Sequence, residues 1–133
     1  MYMLIHGDRL LRELQEEFQS SYPYLKMVFF WKKNKKDTPA SLSEDQEVLI
    51  RLCEISTKKG QGFIPLEDHT SLHQMTKFFE TDFGTDVRVL HFTNAGWVYA
   101  SDLHQVTLGE LNEQGRLAFH SIHNVSANPN HLL

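Results

Sequence analysis

The sequence predicts an α+β fold built from two β-α-β units. Two segments carry apolar residues at helical steps of three and four, and a short run of aromatic and β-branched residues follows each of them. A short apolar stretch also precedes each helix, which gives the order β-α-β twice. This order is typical of the ferredoxin-like split βαβ motif. We therefore expect a mostly antiparallel sheet with both helices on one face.

The first unit spans residues 1–31. Its first strand is predicted by the apolar stretch from Tyr2 to Ile5, and its last strand by the run from Leu25 to Trp31. Between them Pro23 ends a helix, because proline cannot continue one. The apolar face of that helix consists of Leu11, Leu14, Phe18 and Tyr22.

The second unit spans residues 62–93 and repeats this order. The stretch Phe63–Leu66 predicts its first strand, Gly84 suits a helix end, and Val87–Phe92 predicts its last strand. The apolar face of its helix consists of Leu72, Met75, Phe79 and Phe83. Because the two units align through helix, turn and strand, we expect an internal duplication. The alternative is that any two amphipathic helix–strand pairs look alike.

The remaining segments predict smaller elements. Residues 32–42 are polar at their start and are expected to form a mobile loop, and Ser43–Ile55 is expected to contain a short helix. The turn at Asn94–Gly96 predicts a hairpin whose return strand is Trp97–Ala100. Thr107–Gly115 predicts another short helix, between a capping-box threonine and a terminating glycine.

The domain prediction follows from these elements. We expect a single α+β domain over residues 1–120 and a polar C-terminal tail over residues 121–133.

Composition excludes some classes of protein. The chain has 133 residues, 41% of them hydrophobic, so it is long enough to bury a core without disulfides. Its net charge of -4 argues against a general DNA-binding protein. A single cysteine, Cys53, cannot form an internal disulfide, and the sequence shows neither a signal-peptide core nor a membrane-spanning run. We therefore expect a cytoplasmic protein.

Three segments carry short motifs: Tyr22-Pro23-Tyr24-Leu25-Lys26, Gly96-Trp97 and the segment from Val106 to Gly115, which contains Thr107-Leu108-Gly109-Glu110. Together they resemble a family of small bacterial proteins that have no assigned activity. In that family the first segment begins with Phe-Pro, the second has the form Gly-x-x-Trp whereas Gly96 here directly precedes Trp97, and a tryptophan stands where this chain has Val106. The resemblance implies one intact domain over most of the first 115 residues, and it assigns no catalytic residue.

No arrangement of residues predicts a catalytic centre or a cofactor site. Cys53 lies among apolar residues, which is typical of a small buried side chain. His69 and His73 are four positions apart, a spacing that lets two imidazoles on a helix share a metal ion. A metal-dependent enzyme using these two histidines is one alternative function, although surface histidines account for the same pattern.

The two last strands of the units carry apolar residues on both faces. Side chains alternate between faces along a strand, and helices from the two units can cover only one face. We therefore predict a binding surface on the other face, composed of Lys26, Val28, Phe30, Arg88, Leu90, Phe92 and Trp97. The Ser43–Ile55 segment, the C-terminal segment, a second copy of the chain or a ligand could cover it. The favoured function is a non-catalytic binding or oligomerising module, acting as a homodimer or with another protein.

Single-stranded nucleic acid is the alternative ligand of this face. Bases stack on exposed aromatic rings of ferredoxin-like sheets, and the run Lys32-Lys33-Asn34-Lys35-Lys36 follows the first of these strands. The negative net charge disfavours this alternative, and lysine runs are most often solvated loops.

Overall fold

A computed structural model describes residues 2–31, 38–100, 103 and 105–127, with the backbone alone for residues 44, 45 and 124–127. Helices and strands alternate along the chain, and the strands form antiparallel sheets with helices packed against them, so the predicted α+β class is confirmed. The elements are β1 Tyr2–His6, α1 Leu11–Ser21, β2 Leu25–Trp31, β3 Ala40–Ser41, α2 Glu44–Leu49, α3 Leu52–Ile55, β4 Gln61–Pro65, α4 Leu72–Phe83, β5 Asp86–Thr93, β6 Gly96–Tyr99 and α5 Leu108–Ala127.

The strands form two sheets rather than one. β1 pairs with β4 in an antiparallel ribbon, and the other four strands form an antiparallel sheet in the order β3-β2-β5-β6. This order corrects the ferredoxin-like prediction, in which β1 and β4 would lie between β2 and β5. Here β2 and β5 pair directly over six residues, from Leu25 opposite His91 to Phe30 opposite Asp86.

The core lies on one face of the four-stranded sheet. Leu25, Met27 and Phe29 of β2 are buried there with Val87 and Val89 of β5. Both predicted helix faces are buried as well, namely Leu11, Leu14, Phe18 and Tyr22 at α1 and Leu72, Met75, Phe79 and Phe83 in α4. The Phe29 and Phe79 rings meet edge to face with their centroids 6.2 Å apart, a favourable arrangement for aromatic rings.

The two halves of the chain share a pattern of backbone hydrogen bonds. The N–H of Leu11 donates to Ile50, as that of Leu72 donates to Val106, at 3.0 and 2.9 Å. Each helix start is bonded in this way to the residue two positions before another helix, α3 in the first half and α5 in the second. The hydrogen bonds in the reverse direction also match. In the first half the N–H groups of Leu52 and Cys53 donate to the carbonyls of Arg9 and Gly7. In the second half the N–H groups of Leu108 and Gly109 donate to the carbonyls of Thr70 and Asp68.

A glycine stands on one side of each of these close approaches. A Cβ on Gly7 would lie 2.9 Å from the Cys53 Cβ, and a Cβ on Gly109 would lie 2.7 Å from the Asp68 Cβ. In the first half the glycine is Gly7, which precedes α1. In the second half it is Gly109, which lies in α5 and faces Asp68, a residue that precedes α4. Either position relieves the same crowding, because glycine has no Cβ.

Two predicted boundaries differ from the structure. Residues 38–42 are not all loop, since Ala40 and Ser41 pair with the end of β2 and Leu42 is buried. Residues 32–37 of the predicted mobile loop lie outside the described residues. The predicted polar tail begins inside α5, which continues to Ala127, and residues 128–133 lie outside the described part.

Gly115 is the reason that the last helix was predicted too short. It lies inside α5, where a Cβ would approach the Tyr24 Cβ to 2.5 Å. This glycine therefore allows the helix to contact the start of β2 and does not end the helix. Among the described residues, no helix combines the length and the apolar character needed to cross a membrane.

Candidate binding face

The strand register brings the predicted binding residues together. Lys26 and Val28 of β2 lie opposite Leu90 and Arg88 of β5, and Phe92 lies opposite Trp97 of β6. Strand side chains alternate, so these residues share the face that points away from the buried Met27 and Val89. We call this surface the second sheet face; it comprises Lys26, Val28, Phe30, Arg88, Leu90, Phe92, Trp97 and Tyr99.

Tyr99 is the member that the sequence prediction omitted. It lies opposite Leu90 and two residues after Trp97, and its ring meets that of Phe30 with the centroids 5.7 Å apart. With 44% of its surface exposed, Tyr99 is also among the most accessible residues of the face. The alternation from Trp97 along the predicted return strand was the signal that could have found it.

Two cations of this face lie over aromatic rings. The Lys26 ammonium is 4.2 Å from the centroid of the Trp97 ring, and the Arg88 guanidinium carbon is 3.9 Å from that of Phe30. Arg88 also forms an ion pair with Asp86 at 3.1 Å, which neutralises its charge. Attraction between a cation and the electron-rich ring face stabilises both arrangements. Lys26 has no such carboxylate partner within the described residues, so it gives the face its positive character.

The last helix covers one end of the second sheet face. Phe119 of α5 packs against Phe92 and Tyr24, with centroid distances of 5.7 and 5.5 Å. The predicted arrangement of helices on one face is therefore incomplete, because α5 reaches the face opposite to the core. Away from this end, Val28, Phe30 and Leu90 remain half-buried rather than fully covered.

The segments that carry the family resemblance meet at this end. The side chain of Asn112 accepts a hydrogen bond from the Tyr24 N–H at 2.9 Å, and Gly115 allows α5 to approach Tyr24. Two residues further along β2, Lys26 lies over Trp97. Residues from all three segments thus hold α5, β2 and β6 together.

A groove runs from the edge of β2 onto the second sheet face. Its volume is about 350 Å³, and Lys26, Val28, Leu90 and Tyr99 line one part of it. Gln15 of α1 lines the other part; its Nε2 donates to the Met27 carbonyl at 2.8 Å, and within the described structure its buried Oε1 has no partner.

The histidines do not form the arrangement that a shared metal site needs. His69 precedes α4 and is largely exposed, with its Nε2 3.2 Å from the Glu67 carboxylate, whereas His73 lies within the helix. The two therefore do not share a helix face. Across the described ranges, no group of three or more His, Cys, Asp or Glu residues is placed to hold a metal ion.

Cys53 and His91 lie outside the second sheet face. The prediction that Cys53 is a buried side chain is wrong, since Cys53 is an exposed free thiol on α3. His91 belongs to β5, but its ring lies on the opposite side from Leu90, and burial lowers its pKa. The lysine run that supported nucleic-acid binding lies outside the described residues.

No protein-family model, curated protein or solved structure matches the chain.

Proposed function

We propose that this protein is a non-catalytic binding module whose second sheet face binds an acidic, partly apolar surface of another protein. The arrangement that supports this proposal is a half-buried aromatic and aliphatic face with Lys26 at its centre. Such a face buries apolar area on binding and attracts a carboxylate to the ammonium. Because its single cysteine is a free thiol, we also propose that it acts in the cytoplasm.

The size of the face favours a modest interface. The four strands contain 7, 2, 8 and 4 residues. At about 3.3 Å per residue along a strand and about 4.8 Å between strands, they span roughly 330 Å². A standard stable interface buries about 800 Å² on each partner. The face alone therefore suits a transient partner better than a permanent homodimer, which would need further surface.

The arrangement of the cations favours a protein partner over single-stranded nucleic acid. Bases bind by stacking on open ring faces, but Lys26 and Arg88 already lie over Trp97 and Phe30. The ion pair with Asp86 also places a carboxylate where a phosphate would have to approach Arg88. We therefore expect oligonucleotides to show no binding with the steep salt dependence that phosphate contacts produce.

Photo-crosslinking in the native cells tests the proposal. A photoreactive amino acid at Tyr99 should give one dominant adduct with another protein, because Tyr99 is an exposed part of the face. The matched control places the same group at Leu117 of α5, which is 55% exposed but not part of the face. The same adducts at both positions, or none at Tyr99, would contradict the proposal, and an adduct between two copies would assign the face to self-association instead.

The partner identified in this way allows a second test with purified proteins. Lys26→Glu should weaken binding by about tenfold or more, because it replaces attraction by repulsion at the centre of the face. Lys59→Glu makes the same charge change at an exposed position and should leave the affinity nearly unchanged. Equal losses in both variants would attribute the effect to net charge and not to the face.

A further inference from the structure

Half of β5 has an open backbone edge. β6 pairs only with residues 90–93 of β5, and the chain then leaves through Ala100, whose N–H donates to the Val89 carbonyl at 2.9 Å. The Phe92 N–H donates to the Tyr24 carbonyl, so Phe92 directs its backbone groups toward β2. In an antiparallel pair every second residue does so, which means that the residues between them direct their N–H and C=O to the other side of β5. By that alternation the N–H and C=O of Val87 point away from β2, to the side of Ala100.

Val87 is unpaired on that side. Within the described chain, neither its N–H nor its C=O has a hydrogen-bond partner there. A strand edge with free backbone groups is able to pair with another extended chain.

The open edge lies in a groove of the described structure. This groove has a volume of about 660 Å³ and lies between α4 and the first half of β5. Leu72, Thr76 and Glu80 line its helix side, and Ala100 lies where β6 ends. It therefore combines an apolar wall, a carboxylate and a free strand edge.

The first half of the chain closes the corresponding edge with its own groups. Gln15 donates to the Met27 carbonyl at 2.8 Å, and the Leu42 N–H donates to the Phe29 carbonyl at 3.1 Å. Thr76 takes the place of Gln15 in the second half, by the helix alignment that matches Leu14 with Met75. Its hydroxyl instead donates to the Leu72 carbonyl of its own helix at 3.1 Å. The carbonyl that corresponds to Met27 is that of Val89, and it accepts from the Ala100 N–H, so Val87 is the residue of this edge that stays unpaired.

We propose that this groove binds an extended peptide segment of another protein, which adds to β5 as a short strand. The segment bonds to the N–H and C=O of Val87 and directs an apolar side chain toward Leu72. A lysine or arginine in the segment faces Glu80, whose side chain is 71% exposed and forms an ion pair with Lys77 at 3.8 Å. The open stretch Asp86–Arg88 is about 10 Å long, so about three residues of the segment form the strand.

A second copy of the chain is a poorer occupant than a separate segment. If the partner offered its own β5, that strand would continue past the open stretch into the position that β6 already fills. A short segment that ends or turns at Ala100 avoids this overlap. The groove shares only Arg88 and Tyr99 with the second sheet face, so this inference does not depend on the proposed function.

Selection from a displayed library of random nonapeptides against the whole chain tests the inference. We expect the enriched peptides to alternate apolar residues and to contain a lysine or arginine. Their synthetic, fluorescently labelled forms should bind about tenfold more weakly to Thr76→Gln, since Thr76 lines the groove and the longer glutamine side chain takes up space that the segment needs. Glu80→Lys should also weaken binding, whereas Lys26→Glu on the second sheet face should not change it.

Amide hydrogen exchange supplies a readout at the strand edge itself. In the free protein the Val87 amide should exchange much faster than the Arg88 amide, which points toward β2, and peptide binding should slow Val87 exchange by about tenfold or more. The inference would be overturned if no peptide were enriched or if Thr76→Gln bound the peptides as well as wild type. A Val87 amide already protected without peptide would also overturn it. Weakening by Lys26→Glu alone would assign the peptides to the second sheet face.

Discussion

Tyr22 shows how one buried hydroxyl gives the fold a pH dependence. Its ring is 4% exposed and packs against Phe18, and its hydroxyl lies in the field of the Asp68 carboxylate. Burial, and then the negative charge of Asp68, raise the pKa of Tyr22 to about 12. The folded chain therefore disfavours tyrosinate more than the unfolded chain does.

The sign of this effect gives the first prediction. The contribution of Tyr22 to stability is complete below pH 10 and is lost as the pH rises toward 12, by up to about 2–3 kcal/mol. The free energy of unfolding of wild type, measured with urea at several pH values, should fall in that range. For Tyr22→Phe it should be lower at neutral pH but should fall less steeply. Parallel curves for the two proteins would contradict this role.

His91 produces the opposite dependence on the acidic side. Burial lowers its pKa, and its Nδ1 is buried with no partner in the described residues. The neutral ring is therefore favoured in the folded state, and the stability that this gives is lost as the pH falls below about 6.5. We expect His91→Leu to be less sensitive to acid than wild type between pH 7 and 5. Parallel profiles of the two proteins in the same denaturation series would contradict this role of His91.

At the residue scale, the alternation of side chains between the two faces of a strand identified most of the second sheet face from the sequence. It placed Val28, Phe30, Leu90 and Phe92 on one side without knowledge of the strand neighbours. It could not show that Cys53 is exposed, because α3 is a single turn whose neighbours come from elsewhere in the chain.

Among the elements, α5 depends on one glycine more than on its helix propensity. Alanine is the better helix former by about 1 kcal/mol, which alone would make Gly115→Ala stabilising. However, a Cβ at this position would lie 2.5 Å from the Tyr24 Cβ, so α5 or β2 has to move. We expect the packing cost to prevail, with a net loss of about 1–3 kcal/mol in the free energy of unfolding.

Gly62 provides the control for this substitution. It lies in β4, and a Cβ there would meet nothing within 4 Å. Gly62→Ala should therefore change stability by less than about 1 kcal/mol. If Gly115→Ala were as stable as Gly62→Ala in the same denaturation experiment, the close contact between α5 and β2 would be wrong.

Element boundaries were predictable where a local signal sets them. Pro23 and Gly84 follow α1 and α4 closely, and the hairpin turn before β6 was also correct. Gly115 misled the prediction because a glycine ends a helix or permits a close contact, and only the neighbouring chain decides between these roles.

At the scale of the whole molecule, the sequence did not determine which strands are neighbours. Any two strands offer the same backbone groups, so the apolar pattern of β1, β2, β4 and β5 fits several orders. The structure pairs the two strands that are apolar on both faces, and this pairing creates the second sheet face. The shared hydrogen bonds of the two halves support our proposal of an internal duplication, in which equivalent strands pair with each other.

Oxidative footprinting of side chains in the native cells, compared with the purified protein, tests the central claim most directly. We expect the labelling of Tyr99 and Trp97 to fall severalfold in cells, because a bound partner shields the second sheet face. Labelling of the exposed Leu117 on α5 should stay the same. Equal labelling of Tyr99 and Trp97 in both conditions would contradict the claim that this face binds another protein.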